Sequence, residues 1–202
     1  MSPVLRSWRA PALAIVASLL AHAAHAHTET AVGGGFVRGF LHPFNGGDHL
    51  LAMVAVGIWG AVLGAPLLWV LPVTFPMLMV IGAVASLAGL ALPAIEPGIA
   101  LSVVVLGGAI AAIWRAPVPA AIAVVGFFGF LHGFAHGREL PEAASPAAYA
   151  TGFVLASGLL HGTGIALGMA RALPRGELVL RVLGGLIALT GLWLLVAQLA
   201  RA

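Results

Sequence analysis

The sequence predicts an all-α fold, a polytopic membrane helix bundle of about six transmembrane helices behind a cleaved signal peptide. Three observations carry that prediction. Only 7% of the 202 residues are charged and 61% are hydrophobic, against roughly 25% and 45–50% in soluble domains. The mean hydropathy is +1.11, which excludes a water-soluble enzyme. The apolar residues form long runs of about 20, the length that crosses a hydrocarbon core, with Pro, Gly or charge between them.

The first 26 residues read as a targeting segment. Arg6 and Arg9 precede an apolar run from Ala10 to Ala21, and Ala24-His25-Ala26 supplies the small-x-small cleavage pattern. That run is too short to span a bilayer. Residues 27–202 then form one transmembrane domain, with apolar stretches at 37–63, 67–92, 98–115, 118–137, 147–170 and 178–200. These leave no room for a soluble catalytic domain. A signal peptide sets the mature N-terminus in the periplasm of a bacterial cell. Alternation then puts Arg115, Arg171, Arg175 and the nearby Arg181 on the cytoplasmic side of the inner membrane, with Arg38, Arg138 and Arg201 outside. The bias follows the positive-inside rule, and both mature termini are expected to be periplasmic. The arginines are too scattered for a nucleic-acid surface.

Glycines recur at a spacing of four: Gly60 and Gly64, Gly129 and Gly133, Gly158 and Gly162, Gly164 and Gly168. In lipid such pairs let helix backbones approach closely, and tight packing is the expectation at all four.

Ionisable groups at membrane depth are costly and mark pathways or sites. The first group is HPFNGGDHLLAM, residues 42–53. His42 and His49, seven apart, share a face of a regular helix, and Asp48 lies about 120° away from them. Pro43 and Gly46-Gly47 favour a break, which swings Asp48 toward the imidazoles or leaves it orienting one of them. The second group is GFLHGFAHGRELPE, residues 129–142, where His132, His136 and Glu139 occupy a sector of about 60°. Both groups fall at the predicted outer side. The third is His161, deeper in the fifth span, where interhelical hydrogen bonding and an inner relay position are both open readings.

Imidazoles with carboxylates and no cysteine suit Ni²⁺, Zn²⁺, Cu²⁺ or Fe²⁺ and disfavour Cu(I). Ca²⁺ and Mg²⁺ want more oxygen donors than are present. The residues alone therefore say divalent transition metal and leave its identity open.

The run His42-Pro43-Phe44-Asn45-Gly46-Gly47-Asp48-His49, continued by Leu51-Ala52-Met53, resembles the signature of the HupE/UreJ nickel permeases. His132-Gly133-Phe134-Ala135-His136-Gly137, with Glu139 and Pro141, is similar to that family's second signature. Ala150-Thr151-Gly152-Phe153 and Leu160-His161 are similar to its fifth helix. The resemblance covers the whole chain. It implies a permease, not an enzyme, that takes up Ni²⁺ or Co²⁺ from the periplasm for hydrogenase or urease maturation. The ion is then substrate, and no tightly bound cofactor is expected. The resemblance also implies His42, Asp48, His49, His132, His136 and Glu139 as the metal site, with His161 as an inner way-station. The expected partners are the metal ion and the lipid bilayer; homo-oligomer formation and metallochaperone contact stay open.

Rival readings are a non-conducting accessory protein in metalloenzyme assembly, a haem-binding bundle and an intramembrane zinc protease. The last wants H-E-x-x-H, whereas His132-Gly133-Phe134-Ala135-His136 lacks the glutamate.

Overall fold

The computed structural model describes residues 31–139 and 145–200. The expected signal peptide lies outside them, as do the side chains of Arg138 and Glu139. Among the described residues every regular element is helical: α1 (Ala31–Asn45), α2 (Gly47–Leu63), α3 (Leu67–Leu87), α4 (Ile95–Ala111), α5 (Val118–Glu139), α6 (Pro146–Gly168) and α7 (Gly176–Leu199), with a 3₁₀ turn at Met169–Ala172 before the last.

Four of these helices, α3, α5, α6 and α7, are long and apolar enough to cross a bilayer, and the bent pair α1–α2 makes a fifth candidate. The expected first span is therefore two helices, turned by 82° about the break at Gly46. Helix α4 has 17 residues, shorter than α3, α5, α6 and α7 and at the low end of the roughly 17–25 that spanning requires.

Close backbone packing arranges the bundle in three pairs. A Cβ on Gly129, Gly133 or Gly137 of α5 would meet the backbone of Phe75, Met79 or Ala83 of α3, so these helices run parallel. Gly57 of α2 abuts the backbone of His161 and Gly164, and Gly168 abuts Ile58, so α2 and α6 are parallel too. Gly191 of α7 lies against Val103 and Gly184 against Ala111, so α7 is antiparallel to α4. These directions are those of a chain whose successive helices alternate, with the bent pair α1–α2 taken as one.

The four-residue glycine spacing is a less uniform packing signal than expected. Gly129, Gly133, Gly164 and Gly168 do meet neighbouring backbone, but Gly158 and Gly162 face open space. Spacing selects a face of a helix without saying what lies opposite it. Gly64, at φ 80°, ends α2 instead of packing.

Helix α2 is central: Met53, Val56, Ile58 and Trp59 are all fully buried. Helices α3 and α7 present apolar stripes outward, Trp69, Val73, Met77, Val80 and Val84 on one and Val182, Leu186, Leu189, Trp193 and Val196 on the other. Apolar surface on this scale suits lipid, not water. At one end, arginines bond the last carbonyls of two helices, Arg171 Nη1 donating to Val62 O at 2.8 Å and Arg181 Nη1 to Ala111 O at 3.1 Å. These are groups a helix cannot satisfy internally.

Candidate metal centre

The centre lies at the opposite end, where α2 begins, α5 ends and α6 begins. Pro43 sits inside α1, and Gly46 follows its end in extended conformation, with φ −105° and ψ 113°. The break puts Asp48 in the first turn of α2, an electrostatically favourable place for a carboxylate. Asp48 Oδ1 accepts from the His49 backbone N at 2.8 Å and from His49 Nδ1 at 2.9 Å. A Cβ on Gly46 would sit 3.0 Å from both Asp48 Oδ1 and His49 Nδ1. That glycine gives the pair its room.

Helix α5 supplies His132 and His136, one turn apart on the same face. Each is followed by a glycine, Gly133 and Gly137, that seats α5 on the α3 backbone. The close approach of these helices fixes the height and rotation of both imidazoles. His132 Nδ1 donates to Phe128 O at 2.8 Å. A carbonyl only accepts, so the proton is on Nδ1 and Nε2 carries a lone pair.

Four imidazoles from three helices meet here. Ring centroids are 4.5 Å apart for His42 and His136, 4.5 Å for His49 and His136, and 4.8 Å for His49 and His132. His42 and His49 are 6.2 Å apart. Tyr149 and Phe153 of α6 pack on His42 at 5.9 and 6.1 Å. Gly39 and Gly152 bring α1 and α6 together there, since a Cβ on either would enter the other helix's backbone. His132 is 0% exposed and His136 6%.

The buried Nε2 atoms of His49 and His132 have no hydrogen-bond partner. An unsatisfied buried polar atom costs roughly 1–3 kcal/mol, so these two nitrogens are held unpaired against a cost. Among the described residues no three His, Asp or Glu side chains already converge as one coordination sphere. The imidazoles instead touch mostly edge to face, with interplanar angles of 78° for His42–His136 and 79° for His49–His132.

His161 is outside this contact group. It is 2% exposed, its Nε2 lacks a partner, and its ring meets Phe75 at 5.7 Å. Glu139 is the last residue of α5. The site thus brings together His42, Asp48, His49, His132 and His136, with His161 set deeper.

Sequence reasoning did not select Phe75, Tyr149, Phe153 or the Phe128 carbonyl as neighbours of the site. Aromatic residues in an apolar span carry no periodic mark that distinguishes a site wall from ordinary packing. Gly46 was visible only as a helix breaker.

An apolar groove of about 230 Å³ runs beside the cluster, lined by Met79, Val80, Gly133, His136, Tyr149 and Phe153 among others. Its lining is poorly suited to a hydrated ion.

A family model described as HupE / UreJ protein matches residues 13–194. The chain is 42% identical over 182 residues to Protein HupE of Rhizobium leguminosarum bv. viciae, covering 90% of this chain and 95% of that relative. No solved structure matches it.

Proposed function

The chain belongs to the HupE/UreJ family, and from that premise we propose that it is an inner-membrane permease that takes up a divalent transition metal. Nickel is the first ion and cobalt the second, supplied to hydrogenase or urease maturation. The observation that carries this reading is the buried group His42, His49, His132 and His136, with Asp48 bonded to His49. A carboxylate on one ring nitrogen fixes the tautomer and raises the basicity of the other, the usual support of a metal-binding histidine. Because the rings already touch, modest side-chain rotation suffices to turn Nε2 of His49 and Nε2 of His132, both without a partner, to a common ion.

The donor set favours exchange. Neutral imidazoles bind Ni²⁺ and Co²⁺ without the slow release that thiolates impose, and the chain has no cysteine. Glu139 is the proposed carboxylate at the mouth of the site, and His161 the station further in. The arginine-bearing end, with Arg171 and Arg181 on helix termini, is the cytoplasmic one under the positive-inside rule. The histidine cluster then faces the periplasm, as do both ends of the mature chain after removal of residues 1–26.

Uptake of radioactive nickel in cells lacking their own nickel importer tests the reading. Expression of the chain is expected to restore uptake, with excess cobalt competing more strongly than zinc or copper. Nickel binding without uptake would favour a non-conducting accessory protein instead.

A further inference from the structure

The cluster and His161 are joined by one side chain. Phe75 of α3 is 0% exposed, and its ring lies 5.2 Å from His132 and 5.7 Å from His161, at interplanar angles of 61° and 82°. Packing gives the order in depth. Gly129, one turn before His132 on α5 and farther from the cluster end, rests on the Phe75 backbone. Gly57, about two turns or 12 Å beyond His49 along α2, rests on the backbone of His161. From the cluster end inward the order is His132, Phe75, His161. The imidazoles on either side each hold a buried Nε2 with no partner, so two acceptors are separated by an aromatic ring that offers none.

We propose that Phe75 is the gate of the ion pathway, a dry plug between the outer cluster and His161. The inference rests on the permease reading above. While the ring stands between the imidazoles their nitrogens stay apart, the buried Ser157 of α6 gives its hydroxyl proton to Phe153 O at 2.8 Å, and an apolar constriction excludes water and protons. When the ring turns aside, an ion held by His132 transfers to His161. Phe75 therefore sets the rate and tightness of transport without being a ligand, and its side chain is matched to the space. A smaller residue leaves a wetted gap and a larger one closes it.

The test uses the full chain, purified and reconstituted into vesicles, with three readouts: nickel binding in detergent, nickel influx per reconstituted molecule, and proton leak reported by an enclosed pH dye. Phe75→Leu and Phe75→Ala are expected to bind nickel as the parent does, with the half-saturating concentration unchanged. They should raise maximal influx several-fold and open a proton leak. Phe75→Trp is expected to keep binding and lose most influx. Two outcomes overturn the gate: influx and leak unchanged in the Leu and Trp variants, or influx lost in proportion to binding, which would make Phe75 a support of His132 only. Parent protein that binds nickel but conducts none overturns the permease reading itself, and the gate with it. The Leu and Trp variants keep the conclusion independent of whether Phe75→Ala folds.

Discussion

Asp48 holds the His49 ring by Nδ1 at 2.9 Å, and the same carboxylate oxygen takes the His49 backbone N–H at 2.8 Å. The carboxylate thereby fixes which nitrogen of His49 is protonated and leaves Nε2, buried and without a protein partner, as the atom available to a metal. Loss of such an outer partner typically lowers metal affinity about 10–100-fold. Asp48→Ala is expected to show a loss in that range, with Asp48→Asn intermediate because an amide oxygen still accepts from Nδ1–H. Titration of the purified protein with nickel measures both. Unchanged affinity in Asp48→Ala would show that the pair is incidental to binding.

Gly46→Ala should reproduce much of that loss without removing a polar atom. The added methyl would press at 3.0 Å on both members of the Asp48–His49 pair, while the helices on either side keep their own hydrogen bonds. Circular dichroism is expected to show normal helicity and nickel titration a weakened site. Normal binding in a folded variant would place the room for the pair elsewhere.

Gly133→Ala and Gly158→Ala form a contrast. The first drives a methyl into the Met79 backbone, whereas the second meets nothing within 4 Å. Overpacking of a tight contact typically costs about 1–3 kcal/mol, so Gly133→Ala should lower the melting temperature in detergent and Gly158→Ala should leave it unchanged. Equal melting of the two variants would contradict the α3–α5 packing described above.

Uptake should fall as external pH drops. Metal binding needs neutral imidazoles and competes with their protonation, so the sign is loss of affinity with acid. Initial nickel uptake at subsaturating metal should decline as the external medium is acidified. Uptake that rises on acidification would instead indicate proton-coupled import, in which the driving force outweighs competition at the site.

Much of the fold was legible in the sequence because lipid imposes a length on apolar runs, and Gly64-Ala65-Pro66 and Ala116-Pro117 do separate helices. The break near Gly46 was also legible, from Pro43 and two glycines. Its 82° size was not, because that depends on α1 and α2 packing along successive stretches of α6. The grouping of His42 and His49 with His132 and His136 required knowing that α5 ends where α2 begins, which serial crossing supplies. The tautomer of His132 was not legible at all: it depends on a backbone carbonyl, Phe128 O, which no residue type announces. Nor was Phe75, one apolar residue among many in α3.

The most direct measurement is nickel uptake by His49→Ala and His132→Ala in cells without another importer, with membrane levels of each protein quantified. Each of these residues carries a buried Nε2 without a partner. Uptake is expected to fall to the background of cells lacking the chain in both variants, at parental protein levels. Parental uptake in both would contradict the assignment of this cluster as the site through which the ion passes.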